Sequence, residues 1–276
     1  MPDPDYKWED ISLYCGDNIS IMQSLAPESI SLTVTSPPYD SLRQYTNDSE
    51  WSFDKFKGVA AELYRITVNG GVVVWNVADQ TIEGSETGSS FRQALHFIDC
   101  GFKLADTMIY KKANPGGARG SNKTYLQCFE YMFVLSKGPI QTYNLLQDRP
   151  NKGARNGIGG GGRNPDGTIK VGRELEAFET GRRLNIWEYP TQINEWSGQH
   201  PAPFPIGLAE DHILSWSNEG DVVLDPFSGS GTTVTAALKH RRKAIGIDVS
   251  TQYTELARDR VQVAMNEKDS LAMFGL

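Results

Sequence analysis

Short runs of apolar and β-branched residues alternate along this chain with stretches whose apolar positions recur at helical spacing. The runs predicted as strands cover residues 31–35, 71–77, 104–110, 131–135, 221–224 and 244–249. The stretches predicted as helices cover residues 53–66, 89–99, 232–240 and 251–265. Most of the runs are bounded by Gly, Pro, Asp or Asn, which is typical of strands buried on both faces. The alternation predicts an α/β fold built on a doubly wound, mostly parallel sheet.

One segment departs from this pattern. Between residues 151 and 172 there are 8 glycines in 22 positions, interleaved with Lys152, Arg155, Arg163 and Lys170. Such a composition buries too little apolar surface to order itself. It indicates either a mobile linker or a basic segment that becomes ordered when it binds a ligand.

Charge is unevenly distributed along the chain. The whole chain has 27 basic and 34 acidic residues and a net charge of −7. Residues 111–183 contain 13 Lys and Arg against 6 Asp and Glu, a local net charge of +7. A basic region on an acidic body is typical of a polyanion-binding surface, although a solvated loop has the same composition.

Length and cysteine content exclude several classes of protein. A chain of 276 residues suits one large domain, or a core with an insertion, without covalent staples. Cys15, Cys100 and Cys128 show no CxxC spacing, so we expect reduced thiols, no disulfide framework and no metal site. No apolar run reaches the roughly 20 residues of a membrane helix, and the first residues lack an export signal. We therefore expect a soluble, cytoplasmic protein.

A glycine-rich turn follows the strand predicted at residues 221–224. The chain runs from Asp225 through Pro-Phe-Ser-Gly-Ser-Gly to Thr232, where a helix is predicted to begin. Backbone amides in such a turn can approach a cofactor closely. A Walker phosphate loop would need a Lys that is missing here, and a dinucleotide fingerprint would need a third glycine after Gly231. The turn matches neither of these phosphate-binding motifs.

Two acidic residues at the ends of the last two predicted strands indicate which cofactor the turn would hold. Asp248 follows Gly229 by 19 residues, where an acid typically accepts the ribose hydroxyls of an adenosine. Asp225 suits a ligand ammonium. A ligand that joins adenosine to a cationic amino acid is S-adenosylmethionine (SAM), which this pair of acids would suit. A glycine turn followed by an acid also occurs in proteins without a nucleoside cofactor, which is the alternative.

A second loop, Thr35-Ser36-Pro37-Pro38-Tyr39, follows the strand predicted at residues 31–35. Consecutive prolines fix the backbone and remove two donors, which leaves carbonyl groups free to accept hydrogen bonds. Ser36 Oγ and the Pro37 carbonyl could each accept a proton of an exocyclic amino group, while Tyr39 offers a ring on which a base can stack. A proline-stiffened turn without a ligand is the alternative.

Together the two loops resemble those of the DNA amino-methyltransferases, which carry an (S/D/N)PP(Y/F) motif and methylate an exocyclic amino group of cytosine or adenine. The run from His200 to Pro205, then DPFSGSGTT and GIDVSTQY, also follows the cofactor-binding order of that family. The resemblance implies the SAM-dependent methyltransferase fold, SAM as cofactor and double-stranded DNA as partner, with the target base flipped out of the duplex.

The resemblance also implies roles for individual residues. The implied catalytic residues are Ser36, Pro37, Pro38 and Tyr39. The implied SAM-binding residues are Asp17, His200, Phe204, Pro205, Asp225, Phe227, Gly229, Ser230, Gly231, Thr232 and Asp248. Asp17 could equally cap a helix that begins near Ile19. The candidates for DNA contacts are Arg43, Lys152, Arg155, Arg163, Arg173, Arg182 and Arg183.

The order of the two loops indicates a subgroup of the family. The loop at Ser36 precedes the cofactor loop at Asp225, which is the permuted arrangement of the beta group. Only two strands' worth of chain follows residue 220, so a strand at residues 11–15 must complete the cofactor half of the sheet. We expect a catalytic half at residues 1–138, a basic target-recognition insert at 139–195 and a SAM-binding half at 196–276.

The target base is less clearly indicated than the reaction. Ser36 at the first motif position resembles enzymes that methylate N4 of cytosine, whereas Asp is usual for N6 of adenine. We therefore favour cytosine and keep adenine as the alternative. Methylation at C5 is disfavoured because none of the three cysteines follows a proline. RNA or protein N-methylation and an inactive DNA-binding protein are more distant alternatives. A cognate restriction endonuclease, and either a monomer or a homodimer, would be compatible with the family.

Overall fold

The computed structural model describes residues 2–38, 51–114, 124–151, 157–159, 162–170, 173–175, 178–190 and 204–273. At its centre lies a nine-stranded sheet. Numbered along the chain, its strands are β1 (Tyr6–Lys7), β2 (Ile11–Cys15), β3 (Ile30–Thr35), β4 (Thr67–Val77), β5 (Lys103–Lys112), β6 (Phe129–Ser136), β7 (Ile186–Tyr189), β8 (Val222–Asp225) and β9 (Lys243–Asp248). In space the order is β1-β2-β9-β8-β3-β4-β6-β5-β7.

The sheet is mostly parallel. Strands β2, β9, β8, β3 and β4 pair in parallel with their neighbours, and β7 pairs in parallel with β5. The antiparallel pairs are β1 with β2, β4 with β6, and β5 with β6. The predicted α/β fold with a mostly parallel sheet is confirmed.

Six helices pack on the two faces of this sheet. They are α1 (Asn18–Ser24), α2 (Phe53–Ile66), α3 (Ser89–Asp99), α4 (Ile206–Trp216), α5 (Thr232–Lys239) and α6 (Thr251–Met273). Helix α2 contacts α1 and α3, and α5 contacts α4 and α6. Because α2 and α5 cross in opposite directions along the sheet, right-handed connections place them on opposite faces. The helices therefore form two layers of three, as a doubly wound sheet requires.

The N-terminal strand completes the cofactor half of the sheet. Strand β2 pairs in parallel with β9 along its whole length, from Ile11 opposite Ala244 to Cys15 opposite Asp248. This pairing confirms the prediction that a strand at residues 11–15 must lie beside the last strand.

The layer between the sheet and the helices α2 and α3 is an aromatic core. Trp75 of β4 is fully buried and packs edge to face on Phe97 with ring centroids 5.1 Å apart. Phe56 lies 5.7 Å from the same ring. Trp75 Nε1 donates a 2.8 Å hydrogen bond to Gln93 Oε1, which satisfies the indole in the core. This packing fixes β4 beside β3 and the start of the proline loop.

Strand β5 is less buried than its sequence indicates. Residues Lys103–Thr107 are exposed, and the buried positions begin at Met108. The exposed half lies at the margin of the sheet, since β7 pairs only with Ile109–Lys112.

Residues 145–184 form a second compact unit. Its described residues include three short antiparallel pairs, Arg149–Pro150 with Thr180–Gly181, Gly157–Gly159 with Arg173–Leu175, and Gly162–Arg163 with Ile169–Lys170. The predicted insert at 139–195 extends beyond this unit at both ends, and β7, which it included, lies in the main sheet. The use of the insert for target recognition stays a prediction. Within the described ranges, no helix has both the length and the apolar character that a membrane crossing demands.

Candidate active site

The two loops selected from the sequence follow adjacent strands. Strand β3 ends at Thr35 and leads into Ser36, while β8 ends at Asp225 and leads into the glycine turn. From β3 the chain crosses to β4, and from β8 it crosses to β9 on the other side. At such a topological switch point a crevice opens beyond the carboxyl ends of the strands, where α/β proteins bind ligands. The fold thus brings the predicted catalytic and cofactor loops to one crevice.

The glycine turn is held tightly between β8 and α5. Gly231 has a φ of 77°, and a Cβ there would lie 2.9 Å from Ala257 Cβ, so only glycine fits. Its amide donates a 2.8 Å hydrogen bond to the Ser228 carbonyl, and the Ser228 amide donates to Ile247 of β9 at 2.9 Å. Helix α5 begins directly afterwards at Thr232.

Arg260 of α6 lies beneath this turn and was missed by the sequence analysis. It is buried, and its Nη1 donates to the Ser230 carbonyl at 3.0 Å, to Ser230 Oγ at 2.9 Å and to Thr232 Oγ1 at 3.2 Å. One cation therefore holds three acceptors of the turn in place. The available signal was a basic residue on the apolar face of α6, beside the buried Ala257 and Val261.

Asp248 is tied to the backbone of the glycine turn. Its Oδ2 accepts a 2.8 Å hydrogen bond from the Gly229 amide, and its Oδ1 accepts one of 2.8 Å from the Ser250 amide. Burial raises the pKa of Asp248, and these two backbone hydrogen bonds act in the opposite direction. Each carboxylate oxygen retains a further lone pair, so the group can still accept hydroxyl donors.

Asp225 is almost fully buried at the end of β8. Its Oδ1 accepts a 2.6 Å hydrogen bond from Thr35 Oγ1 and one of 3.1 Å from the Phe227 amide. Burial raises the pKa of Asp225 to about 6, hydrogen bonds led by that of Thr35 oppose the rise, and the charge of Asp248 adds to it. The carboxyl group is therefore mostly ionised at neutral pH but titrates close below it.

Asp17 serves as the N-cap of α1. Its Oδ1 accepts a 2.9 Å hydrogen bond from the Ser20 amide, and its Oδ2 lies 3.3 Å from Lys55 Nζ. The capping alternative is thus confirmed, while a role beside the cofactor stays a prediction. The next residue, Asn18, donates from Nδ2 to the Pro226 carbonyl at 3.1 Å, so this end of β2 lies against the cofactor loop.

The other predicted cofactor residues are partly described. Phe227 packs edge to face against Trp51, with ring centroids 5.2 Å apart, and against Trp75 at 6.1 Å. Phe204 is half-buried, and Pro205 is buried at the N-cap of α4. Among the predicted catalytic residues, Ser36 and Pro38 are half-buried and Pro37 is buried. The predicted site residues outside the described ranges are Tyr39, Arg43, Lys152, Arg155 and His200.

The candidate DNA-contacting arginines of residues 145–184 differ in their surroundings. Arg163 and Arg182 are exposed. Arg183 instead forms an ion pair with Asp148, with Nε 3.0 Å from a carboxylate oxygen, and this hydrogen bond lowers the pKa of Asp148. Arg173 lies in a short strand. We therefore rank Arg163 and Arg182 above Arg183 as candidates for DNA contact.

A buried polar cluster on β4, β5 and β6 was also missed. Glu130 Oε2 accepts a 2.8 Å hydrogen bond from Asn76 Nδ2, and Glu130 Oε1 lies 2.7 Å from Lys112 Nζ. Burial raises the pKa of the neighbouring Tyr110, and the charge of Glu130 adds to the rise. The three partners come from separate parts of the chain, so no local motif announces them.

The chemistry of the crevice suits SAM better than a phosphate ligand. A buried carboxylate, Asp225, and a half-buried one, Asp248, lie at adjacent strand ends, where they disfavour an anion and suit hydroxyl and ammonium donors. The glycine turn allows a ligand to approach the backbone between them. Among the described residues, no group of three His, Cys, Asp or Glu side chains is arranged to hold a metal ion.

Comparisons with known proteins agree with this geometry. A family model described as a DNA methylase, the N6/N4 methyltransferases, matches residues 30–259. The orphan methyltransferase M.BamHII of Bacillus amyloliquefaciens is 50% identical over 241 residues, which cover 84% of this chain and 89% of the relative. The type II methyltransferase M.HpaI of Haemophilus parainfluenzae is 29% identical over 272 residues, with coverage of 95% and 77%.

Solved structures share the fold. The cytosine-N4-specific PvuII DNA methyltransferase superposes with a TM-score of 0.71 at 20% identity, covering 94% of this chain and 88% of its own. The protein TTHA0409 of Thermus thermophilus, solved in complex with SAM, has a TM-score of 0.62 at 24% identity, with coverage of 91% and 93%. The family model spans most of the chain, and M.BamHII matches over most of both lengths. This protein belongs to the N6/N4 DNA methylase family.

Proposed function

We propose that this DNA methyltransferase transfers a methyl group from SAM to the exocyclic amino group of a base flipped out of double-stranded DNA, at a specific sequence, with N4 of cytosine as the favoured target. The hydrogen bond from Thr35 Oγ1 to Asp225 Oδ1, at 2.6 Å, carries the proposal. It joins the strand that leads into the serine-proline loop to the strand that leads into the cofactor turn, so that methyl donor and acceptor would meet in one crevice.

SAM is the cofactor of this family, and when bound it supplies a methyl group on a positively charged sulfur. Asp248 would accept the ribose hydroxyls, because its carboxylate is held at the end of β9 by two backbone amides. The turn at Gly229 and Gly231 would leave room for the ligand beside the backbone. Asp225 would favour the ammonium end through its negative charge.

The serine-proline loop would prepare the amino group for transfer. Ser36 Oγ and the Pro37 carbonyl would each accept a hydrogen bond from one of the two amino N–H groups. These hydrogen bonds would turn the nitrogen lone pair away from the ring and towards the methyl group. Tyr39 would stack on the flipped base. The amino nitrogen would form its N–C bond as the S–C bond of SAM breaks, and the proton that the nitrogen then releases would pass to solvent. No covalent bond to the protein is needed.

The choice of cytosine rests on Ser36. Ser at this position resembles the cytosine-N4 enzymes of the family, whereas Asp is usual in the adenine-N6 enzymes. A hydroxyl is also a weaker hydrogen-bond acceptor than a carboxylate. Methylation of adenine N6 is the alternative. M.BamHII is named an orphan, so we do not propose a cognate restriction endonuclease for this protein.

The test is mass spectrometry of nucleosides from mixed-sequence DNA incubated with the protein and SAM that carries an isotopically labelled methyl group. We expect label in N4-methylcytosine. Label in N6-methyladenine would support the mechanism but show that Ser36 does not select the base. Absence of label from both nucleosides, with SAM binding intact, would overturn the proposal and direct the same assay to RNA and then to protein. The matched control is Asp248→Ala at low SAM concentration, which should incorporate less label because the carboxylate proposed to hold the ribose is missing.

A further inference from the structure

The ladder between β3 and β8 ends before the two strands do. The last paired residues are Thr33 and Leu224, while β3 continues to Thr35 and β8 to Asp225. Beyond this pair, side chains make the connections. Thr35 Oγ1 donates to Asp225 Oδ1 at 2.6 Å, and Thr233 Oγ1 donates to the Val34 carbonyl at 3.1 Å. The first hydrogen bond joins β3 to β8, and the second joins β3 to helix α5, which follows the cofactor loop.

All groups of this connection are buried. Thr35 is 0% exposed, Asp225 is 1% exposed and Thr233 is 1% exposed. Asp225 Oδ1 also accepts the Phe227 amide at 3.1 Å, so the same oxygen holds the first turn of the cofactor loop. A buried hydrogen bond to a charged acceptor is stronger than one in water, and its loss leaves the acceptor undersolvated. Thr35 is therefore bonded to the cofactor loop through its side chain and to Ser36 through its backbone.

We propose that Thr35 is a positioning residue that couples the cofactor loop to the serine-proline loop through Asp225. The inference rests on the proposed function, because it takes SAM and the target base as the occupants of the two loops. Thr35 itself need not touch either ligand. It sets the distance between the strand ends and holds the Asp225 carboxylate in its ionised form.

The surroundings of Asp225 make this second effect measurable. The groups that face its carboxylate are Thr35 from β3, Thr233 from α5, the Phe227 amide and, among the charged groups, Asp248 from β9. Burial and Asp248 raise the pKa of Asp225, while the hydrogen bonds lower it. Removing the Thr35 hydroxyl should therefore raise this pKa further, so that a larger fraction of Asp225 is protonated at neutral pH.

The test compares Thr35→Val, which keeps the shape but removes the hydroxyl, with Thr35→Ser, which keeps the hydroxyl. The dissociation constant of SAM and kcat at saturating SAM are measured from pH 6 to pH 9. For Thr35→Val we expect SAM affinity at pH 7 to fall by roughly tenfold, with recovery towards pH 9 and a lower kcat. The pH below which SAM binding weakens should move to a higher value. Thr35→Ser should restore both the SAM affinity and the wild-type pH profile.

Asp225→Asn separates failure of the inference from failure of the proposed function. If the wild-type protein binds no SAM or methylates no DNA, the proposed function fails. If Asp225→Asn weakens SAM binding while Thr35→Val leaves affinity, pH profile and kcat unchanged, the coupling role of Thr35 is overturned. In the double variant Thr35→Val/Asp225→Asn the pH dependence introduced by Thr35→Val should disappear, because an amide at position 225 still accepts hydrogen bonds but does not titrate. Should Thr35→Val fail to fold, Thr35→Cys, whose thiol is a weak donor, must show an intermediate shift, and an unshifted profile would equally overturn the proposal.

Discussion

The buried guanidinium of Arg260 lies against the carbonyl of Ser230, with Nη1 3.0 Å from the oxygen. This contact attaches the glycine turn to helix α6. Replacement by Met would keep the apolar stem but leave the acceptors of Ser230 and Thr232 without their donor.

We expect Arg260→Met to lower the free energy of unfolding by about 2–4 kcal/mol, because buried acceptors lose a charged donor. SAM affinity should fall with it, since the turn loosens. Urea unfolding and SAM titration measure the two effects. The matched control is Arg258→Met on the same helix, where the pair with Asp259 is exposed to solvent and should contribute little to stability. Equal effects of the two substitutions would contradict the role of Arg260.

Asp225 should make the stability of the protein depend on pH. Burial raises the pKa of Asp225 in the folded protein to about 6, above its pKa in the unfolded chain, so the folded state holds the proton more tightly. The stabilising effect of this proton is full below the unfolded pKa. It is lost as the pH rises from the unfolded pKa through 6. The loss amounts to roughly 2 kcal/mol between pH 4 and pH 7.5.

Asp225→Asn does not titrate, so it should gain stability relative to wild type over this pH range. Urea unfolding of both proteins at several pH values measures the difference, in which contributions of other groups cancel. A difference that stays constant with pH would show that Asp225 does not titrate as described. Asp54→Asn, at an exposed position, is the control and should show no comparable gain with rising pH.

The two predicted roles within the crevice should separate kinetically. Tyr39→Ala should leave SAM binding nearly intact and reduce turnover strongly, because the Tyr39 ring is proposed to stack on the target base and not on SAM. Asp248→Ala should weaken SAM binding, because the Asp248 carboxylate is proposed to accept the ribose hydroxyls. Much of the activity should return at high SAM concentration. SAM titration and steady-state kinetics on DNA measure both. Equal loss of SAM affinity in the two variants would mean that the two loops are assigned wrongly.

The ion pair between the buried Glu130 and the half-buried Lys112 should contribute to stability. Glu130→Ala removes one acceptor of Asn76 and the counter-charge of Lys112. We expect a loss of about 2–3 kcal/mol, at the lower end for a buried pair because Lys112 is partly exposed. Glu188→Ala on β7 removes a pair with Lys111 that is about half exposed, and should lower stability much less. Chemical denaturation of both variants checks the contrast. A loss from Glu130→Ala no larger than that from Glu188→Ala would refute it.

The exposed arginines of residues 145–184 should act through phosphate contacts. We expect Arg163→Ala and Arg182→Ala each to reduce the slope of log K against log salt concentration by about 1. Fluorescence anisotropy with a DNA duplex at several salt concentrations measures this slope. Arg258→Ala, on α6 of the main unit, is the control and should leave the slope unchanged. Binding that does not respond to salt would contradict the assignment of a DNA-binding surface.

The sequence predicted some elements to the residue and missed others for physical reasons. Helices α2 and α3 begin and end where the periodicity of residues 53–66 and 89–99 indicates, because their apolar faces repeat regularly along the whole helix. Strand β7 was not predicted, because its four residues are too short to show alternation and lie beside a basic, glycine-rich segment. Short strands depend on their neighbours more than on their own sequence.

The site followed the same division. The loops at Ser36 and Asp225 carry local motifs, so their residues could be selected before the fold was known. The hydrogen bond between Thr35 and Asp225 joins residues 190 positions apart, and Arg260 contacts the glycine turn from 28 to 30 positions away. Such contacts depend on the order of strands in the sheet, which no short stretch of sequence encodes.

The pairing of β2 with β9 also has a consequence for the order of events during synthesis. Residue 11 leaves the ribosome long before its partner, residue 244, has been made. Until then β2 exposes an unpaired edge, and the cofactor half of the sheet cannot close. A nascent chain halted before β9 should therefore be vulnerable to aggregation or capture by chaperones, and the ability to bind SAM should arise only after β9 has emerged.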